Sequence, residues 1–112
     1  MTPTARELRY WREMGYVAAV VERWNCFSQT RHDLFGMFDI VAYDADDTIG
    51  IQVTTGTNHN KRVTKITTNP NLRRWLVGPG RRAVVASWAP RKVKRGGKAV
   101  RYHRRGQELE AF

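Results

Sequence analysis

Asp39 lies inside the apolar run Phe38-Asp-Ile-Val-Ala-Tyr43. A carboxylate buried alone among such residues is costly, because water solvates the charge and hydrocarbon does not. Two arrangements relieve that cost. Either Asp39 sits at a sheet edge or accepts hydrogen bonds from Arg31 or Lys61, or it holds a metal ion. A second apolar run, Thr48-Ile-Gly-Ile-Gln-Val-Thr-Thr55, carries Gln52 and Thr54. Asp44-Ala-Asp-Asp47 between the runs is turn chemistry. Four residues leave no room for a crossover helix, so the runs pair as an antiparallel β-hairpin. With the turn centred on Ala45-Asp46, Asp39 stands opposite Gln52 and Val41 opposite Gly50. Alternation then puts Asp39, Val41, Gln52 and Thr54 on one face, and Phe38, Ile40 and Ala42 on the other. A slip of one residue would part Asp39 from Gln52.

The elements around this hairpin follow from periodicity. Thr4-Ala-Arg-Glu7 has the spacing of a capping box, and Leu8, Trp11 and Met14 form one apolar stripe. They predict a helix over 4–14 that stops at Gly15. Tyr16 to Trp24, rich in Val and aromatic residues, predicts a strand. Asn25 to Gly36 predicts a polar loop with an apolar Leu34-Phe35 insert. Asn58 to Thr68 predicts a helix, Asn69-Pro70 a break, and Asn71 to Val77 two further helical turns ended by Gly78-Pro-Gly80. Arg82 to Trp88 is a strand. Arg91 to Arg105 predicts two basic strands around a two-residue Gly96-Gly97 loop. The order is α-β-β-β-α-β plus a C-terminal basic β-hairpin. It makes one α/β domain over 1–112, with a core at about 4–90 and an arm at about 91–105. Trp75 and Trp88 are expected in the core, with Trp11 and Trp24. Any of these that is exposed could stack on a base.

The charge is divided along the chain. Residues 1–47 hold five Arg, no Lys and eight acids. Residues 48–107 hold fifteen Lys or Arg and no acid, within a net charge of +10. An ordinary solvated surface mixes the two signs. A sixty-residue stretch without a carboxylate points to a polyanion, and nucleic acid is the commonest one. A basic face without a partner and a ribosome-like RNA contact are the plainer alternatives. Arg91, Lys92, Lys94, Arg95 and Lys98 fall within eight residues, and with Arg101, Arg104 and Arg105 they form a basic arm. Phosphate contacts need only charge and reach, so this arm and Arg62 are the expected backbone-binding groups.

Several chemistries are excluded. The lone Cys26 rules out an internal disulfide and a cysteine zinc cluster. No phosphate-binding Gly-x-x-x-x-Gly-Lys-Ser/Thr loop is present. Ser28 and Ser87 have no recognisable nucleophile context. His59, between Asn58 and Asn60, lacks the second His that an HNH site needs, because His32 and His103 are not suitably spaced. It is expected to be exposed or to face DNA. There is no apolar run of about 18 residues and no apolar leader after Met1, which predicts a cytoplasmic protein.

The hairpin resembles the PD-(D/E)xK nuclease superfamily, in which an Asp on one strand is followed by an acid-x-Lys tripeptide on the next. Among its branches the chain is most similar to the archaeal-type Holliday junction resolvases. Ala5-Arg-Glu-Leu8 and Gly15-Tyr16 resemble that branch's Glu-Arg-Glu-Leu helix and its Gly-aromatic end. Asp39-Ile-Val-Ala42 resembles its Asp-Ile-Val-Ala strand, and Ile51-Gln-Val-Thr54 occupies the acid-x-Lys position. The resemblance covers roughly residues 4–90. It implies a restriction-endonuclease-like αβββαβ core with a mixed sheet. It also implies Mg²⁺- or Mn²⁺-dependent cleavage of DNA, branched DNA included, and a homodimer. Gln52 stands for the acid, Thr54 for the Lys, and Ala5 for the first helix Glu; Asp39 alone is unchanged. On this reading Asp39 and Gln52 hold the metal. Glu22, on the first strand, is a further ligand candidate, with Glu7 and Asp33 as other possible replacements for the missing acid. Lys61 or Lys65 on the following helix replaces the missing Lys. Two other readings are a degenerate nuclease that binds DNA without cutting it, and a basic module or inhibitor that meets an acidic protein.

Overall fold

The computed structural model describes residues 1–110; residues 111–112, the end of the expected domain, lie outside the described residues. Helix α1 (Pro3–Glu13) is followed by β1 (Val17–Val20), β2 (Arg23–Asn25), β3 (Thr30–His32), β4 (Ile40–Tyr43) and β5 (Thr48–Thr55). A 3-10 turn (Gly56–Asn58) then leads into α2 (His59–Thr67), α3 (Pro70–Val77), β6 (Arg81–Lys92) and β7 (Val100–Glu108). Strands β1, β4, β5, β6 and β7 form one sheet in that order, and β2 and β3 form a separate ribbon. The fold is α/β with a mixed sheet: β5 and β6 are parallel, and the other neighbours are antiparallel. A parallel pair needs a crossover, which the α2–α3 segment supplies. Among the described residues, no helix is long and apolar enough to cross a membrane.

Strand β5 is buried on both faces. Ile49, Ile51 and Val53 join Trp11, Ile40, Ala42, Val84 and Ala86 in a core beneath α1. On the opposite face, Ile66 and Leu72 of the crossover helices pack with Phe38, Ala83, Val85 and Leu109. Gly50 belongs to this second face, and the Phe38 ring lies where a β-carbon would stand. The hairpin register is the expected one, with Val41 opposite Gly50 and Ile40 opposite Ile51.

Several expectations are corrected. Helix α1 is capped by Thr2, whose Oγ1 accepts from the Ala5 N–H at 3.1 Å, with Pro3 at the first helical position. Pro3 has no N–H to satisfy and a preset φ, so the helix starts there and Thr4 does not cap it. The strand expected over 16–24 breaks at Val21-Glu22. Its partner β4 begins at Ile40, so the chain beyond finds no strand to pair with and pairs with its own return, Thr30–His32, inside the expected loop. Phe38 lies on the α2–α3 face and not with Ile40, because the turn Leu34–Phe38 closes with positive φ at Phe35 and Gly36 before β4 starts. The basic arm is a hairpin, but β6 runs unbroken through Pro90, and residues 93–99 connect it to β7. Beyond Trp88, β6 has left β5 and keeps a neighbour on one side only, where a proline is tolerated. Trp24 is 62% exposed.

Glu7 is fully buried. It accepts hydrogen bonds from Trp11 Nε1 (2.7 Å), Trp88 Nε1 (3.0 Å) and Arg104 Nε and Nη2 (both 2.8 Å). One carboxylate thus ties α1 to β6 and β7. Removing it would leave a shielded guanidinium unpaired, a change that costs about 3–5 kcal/mol at buried ion pairs. Glu7→Ala should therefore lower the urea midpoint steeply, and Glu7→Ala combined with Arg104→Leu should recover part of the loss.

Candidate active site

The β4–β5 register builds the site. The Asp39 N–H donates to the Ile51 carbonyl at 2.9 Å, and the Asp39 carbonyl accepts from Val21 N–H at 2.8 Å. Its side chain is thereby held over β5, where Oδ2 accepts from the Val53 N–H at 2.8 Å and from Gln52 Nε2. The other end of the Gln52 amide, Oε1, accepts from Lys65 Nζ at 3.1 Å. An ammonium can only donate, so Lys65 fixes which way the amide points. Lys65 Nζ also donates to Asp33 Oδ2 at 2.8 Å. Glu22 completes the group: carboxylate oxygens of Glu22, Asp33 and Asp39 all lie within 4.8 Å of one another. Glu22 is also paired with Arg31, whose Nη1 donates to it at 3.2 Å.

These carboxyls are not equivalent. Burial pushes Asp39 up to about 8, helped by its hydrogen bond to Asp33 and by the Asp33 charge, against the Val53 N–H and Gln52, which favour the anion. For Asp33, burial acts upward, but the hydrogen bonds from Asp39 and Lys65 and the Lys65 charge outweigh it, and the group titrates below the ordinary carboxyl value. The two carboxyls are thus driven in opposite directions, and Asp39 holds a proton more readily than Asp33. Hard oxygen donors of this kind suit Mg²⁺ or Mn²⁺. Two ligands bound at about 2.1 Å stand at most about 4.2 Å apart. Three ligands on one such ion stand no more than about 3.6 Å from one another all round, so the three carboxylates, whose oxygens lie within 4.8 Å of one another, would have to draw together to share it.

Of the residues singled out from sequence, the structure brings Asp39, Gln52, Lys65, Glu22 and Asp33 together. Gln52 turns its amide nitrogen to Asp39 and its oxygen to Lys65, so it orients these groups and does not offer its carbonyl to a metal. Thr54 is buried two residues on, opposite Ser87 on β6. Lys61 is exposed on α2, one turn before Lys65, and is not hydrogen-bonded to the acids. Glu7 lies on the buried side of α1, bonded to Trp88 and Arg104, and takes no part. Arg62 is half-buried on α2, whereas Arg91, Lys92, Lys94, Arg95, Lys98 and Arg101 are all exposed.

One chain of groups escaped the sequence reading. His59 is buried, contrary to expectation. Its Nδ1 lies 2.7 Å from Ser87 Oγ and its Nε2 3.0 Å from Gln107 Oε1. The Gln107 oxygen can only accept, so Nε2 carries the hydrogen and the Ser87 hydroxyl donates to Nδ1. Burial and the Arg105 charge lower the imidazole pKa, against the pull of Gln107. The alternation Ala83, Val85, Ser87 placed Ser87 on the α2 face, but nothing in the sequence marked Gln107 as its partner's partner. Beyond Ser87 the same face carries a cleft of about 360 Å³ lined by Arg91, His103 and Arg105.

The Asp39 proton sets a pH dependence. The folded pKa lies above the unfolded one, so between about pH 4 and pH 8 the unfolded chain has released a proton that the folded chain keeps. Stability from this group is therefore full at low pH and falls as pH rises through that window. In chelator, the melting temperature of the wild type should drop more between pH 5 and pH 8 than that of Asp39→Asn, a contrast read from paired thermal melts.

Searches against family models, curated proteins and solved structures find no match to this chain.

Proposed function

We propose that the chain is a Mg²⁺- or Mn²⁺-dependent nuclease with a restriction-endonuclease-like core, hydrolysing phosphodiester bonds in DNA. The observation that carries this reading is Lys65. Its ammonium, delivered from α2, touches both Asp33 and Gln52 at the edge of the three-carboxylate group. The acid absent at Gln52 is then supplied by Asp33 and Glu22, and the Lys absent at Thr54 by Lys65. Glu22, Asp33 and Asp39 would hold the ion, which when bound polarises a phosphate and makes a water a better nucleophile. Lys65 donates to a phosphate oxygen as charge builds there. Gln52 keeps Asp39 and Lys65 in place from between them.

The basic half supports the same reading. Arg91 and Arg101 stand directly opposite each other on β6 and β7. Like charges so placed repel, and among the described residues neither forms a salt bridge with an acid. A phosphate backbone lying on this face would relieve the repulsion. One observation favours a second reading: the Gln52 amide and a retained proton both occupy Asp39, as suits a chain that binds DNA without cutting it.

The test uses labelled single-stranded, duplex and branched DNA with Mg²⁺, Mn²⁺ or chelator. Cleavage should need the cation and fall about 100-fold or more in Lys65→Ala and in Asp33→Asn. Cleavage untouched by these changes would refute the site. Binding without cleavage in either cation would establish the second reading. Affinity should fall steeply with salt, and Arg91→Ala or Arg101→Ala should each reduce the salt slope by about one. Affinity indifferent to salt would remove nucleic acid as the partner.

A further inference from the structure

The β2–β3 ribbon leaves the body of the protein between Glu22 and Asp33, two members of the acidic group. Every residue from Arg23 to His32 is exposed. Among them are Trp24, 62% exposed, and Phe27, 96% exposed. Single exposed aromatics are ordinary, but this tip is built to present one. Asn25 Oδ1 accepts from the Phe27 and Ser28 N–H groups at 2.9 and 3.2 Å. Gln29 takes a positive φ of 52°, and Ser28, Thr30 and His32 form a hydrogen-bonded row along the return strand. Polar bonds thus hold the turn in a shape that keeps the Phe27 ring in water. The ribbon carries Arg23 and Arg31 and no acid.

Resting on the nuclease reading, we infer that this ribbon is a base-stacking wedge. Trp24 and Phe27 take the face of an unpaired base on a strand whose phosphate lies at Glu22, Asp33 and Asp39. The charge is complementary, because the ribbon is purely cationic and the strand anionic. The position follows from chain connectivity, since the residues that flank the ribbon, Glu22 and Asp33, are themselves acids of the site. Three-residue strands span only about 10 Å, so the rings meet bases close to the phosphate at the acids. A ring face is open to stacking only when the base has left its stack, so the wedge selects single-stranded or frayed DNA over intact duplex.

The experiment measures fluorescence anisotropy of a labelled single-stranded oligonucleotide, and of the duplex of the same sequence, in chelator so that nothing is cut. Trp24→Ala and Phe27→Ala should each weaken single-strand binding about tenfold, as loss of one stacked base does, and leave duplex affinity within about twofold. Phe27→Trp should keep wild-type affinity. Variants that bind both DNAs like the wild type, or that lose both equally, would overturn the wedge while leaving the nuclease reading intact. Wild type that binds neither DNA would overturn both. Sedimentation of the wild type as a dimer that Phe27→Ala dissociates would assign the ribbon to a second copy of this chain instead.

Discussion

Strand β5 is the constraint on which the rest depends. It is buried on both faces from Ile49 to Thr54, yet its α2-facing side carries two polar residues, Gln52 and Thr54. An amide in that position has two donor hydrogens and an acceptor oxygen to satisfy, and no water to do it. The Asp39 carboxyl meets one end and the Lys65 ammonium the other. Lys65 then needs an anion, which Asp33 supplies, and Asp33 brings Glu22 into range. The acidic group is in this sense assembled outward from one buried glutamine.

The two faces of the sheet solve the same problem differently. Beneath α1, Glu7 is fully enclosed and its carboxylate oxygens receive four hydrogen bonds, two of them from Arg104. That arrangement is closed: nothing is left over for a ligand. On the α2 face, Asp33 and Glu22 are partly exposed, Lys65 reaches Asp33 from the solvent side, and burial holds the Asp39 carboxyl well above the usual carboxylate range. Incomplete pairing of charges is the physical difference between a structural clasp and a group able to exchange partners.

The charge division along the chain becomes a spatial one through β6 and β7. Alternation puts Arg91, Arg101, His103 and Arg105 on the same side of the sheet as Asp39 and Gln52, with the His59–Ser87–Gln107 chain between. The positive field therefore flanks the acids instead of opposing them from the far face, which is the arrangement the proposed activity on DNA requires.

Much of this was legible in the residues. The hairpin register followed from a short Asp-rich turn and strict alternation, because a slip would have turned Asp39 away from Gln52. The helices around 59–67 and 70–77 followed from Asn69-Pro70, which stops one and starts the other. Asp39 stood out because a carboxylate in an apolar strand demands a partner. Tertiary structure alone decided which partner. Lys61 and Lys65 are the same residue type one turn apart, and only the packing of α2 on the sheet brings Lys65 to the acids. Glu22 and Asp33 are eleven positions apart, and they meet because β1 runs out of a partner and the chain folds into a ribbon between them. His59 found Ser87 and Gln107 by the same route. Periodicity and turn chemistry are local and travel with the sequence. Contacts between side chains far apart in the chain depend on how elements stack, and neither composition nor spacing encodes that.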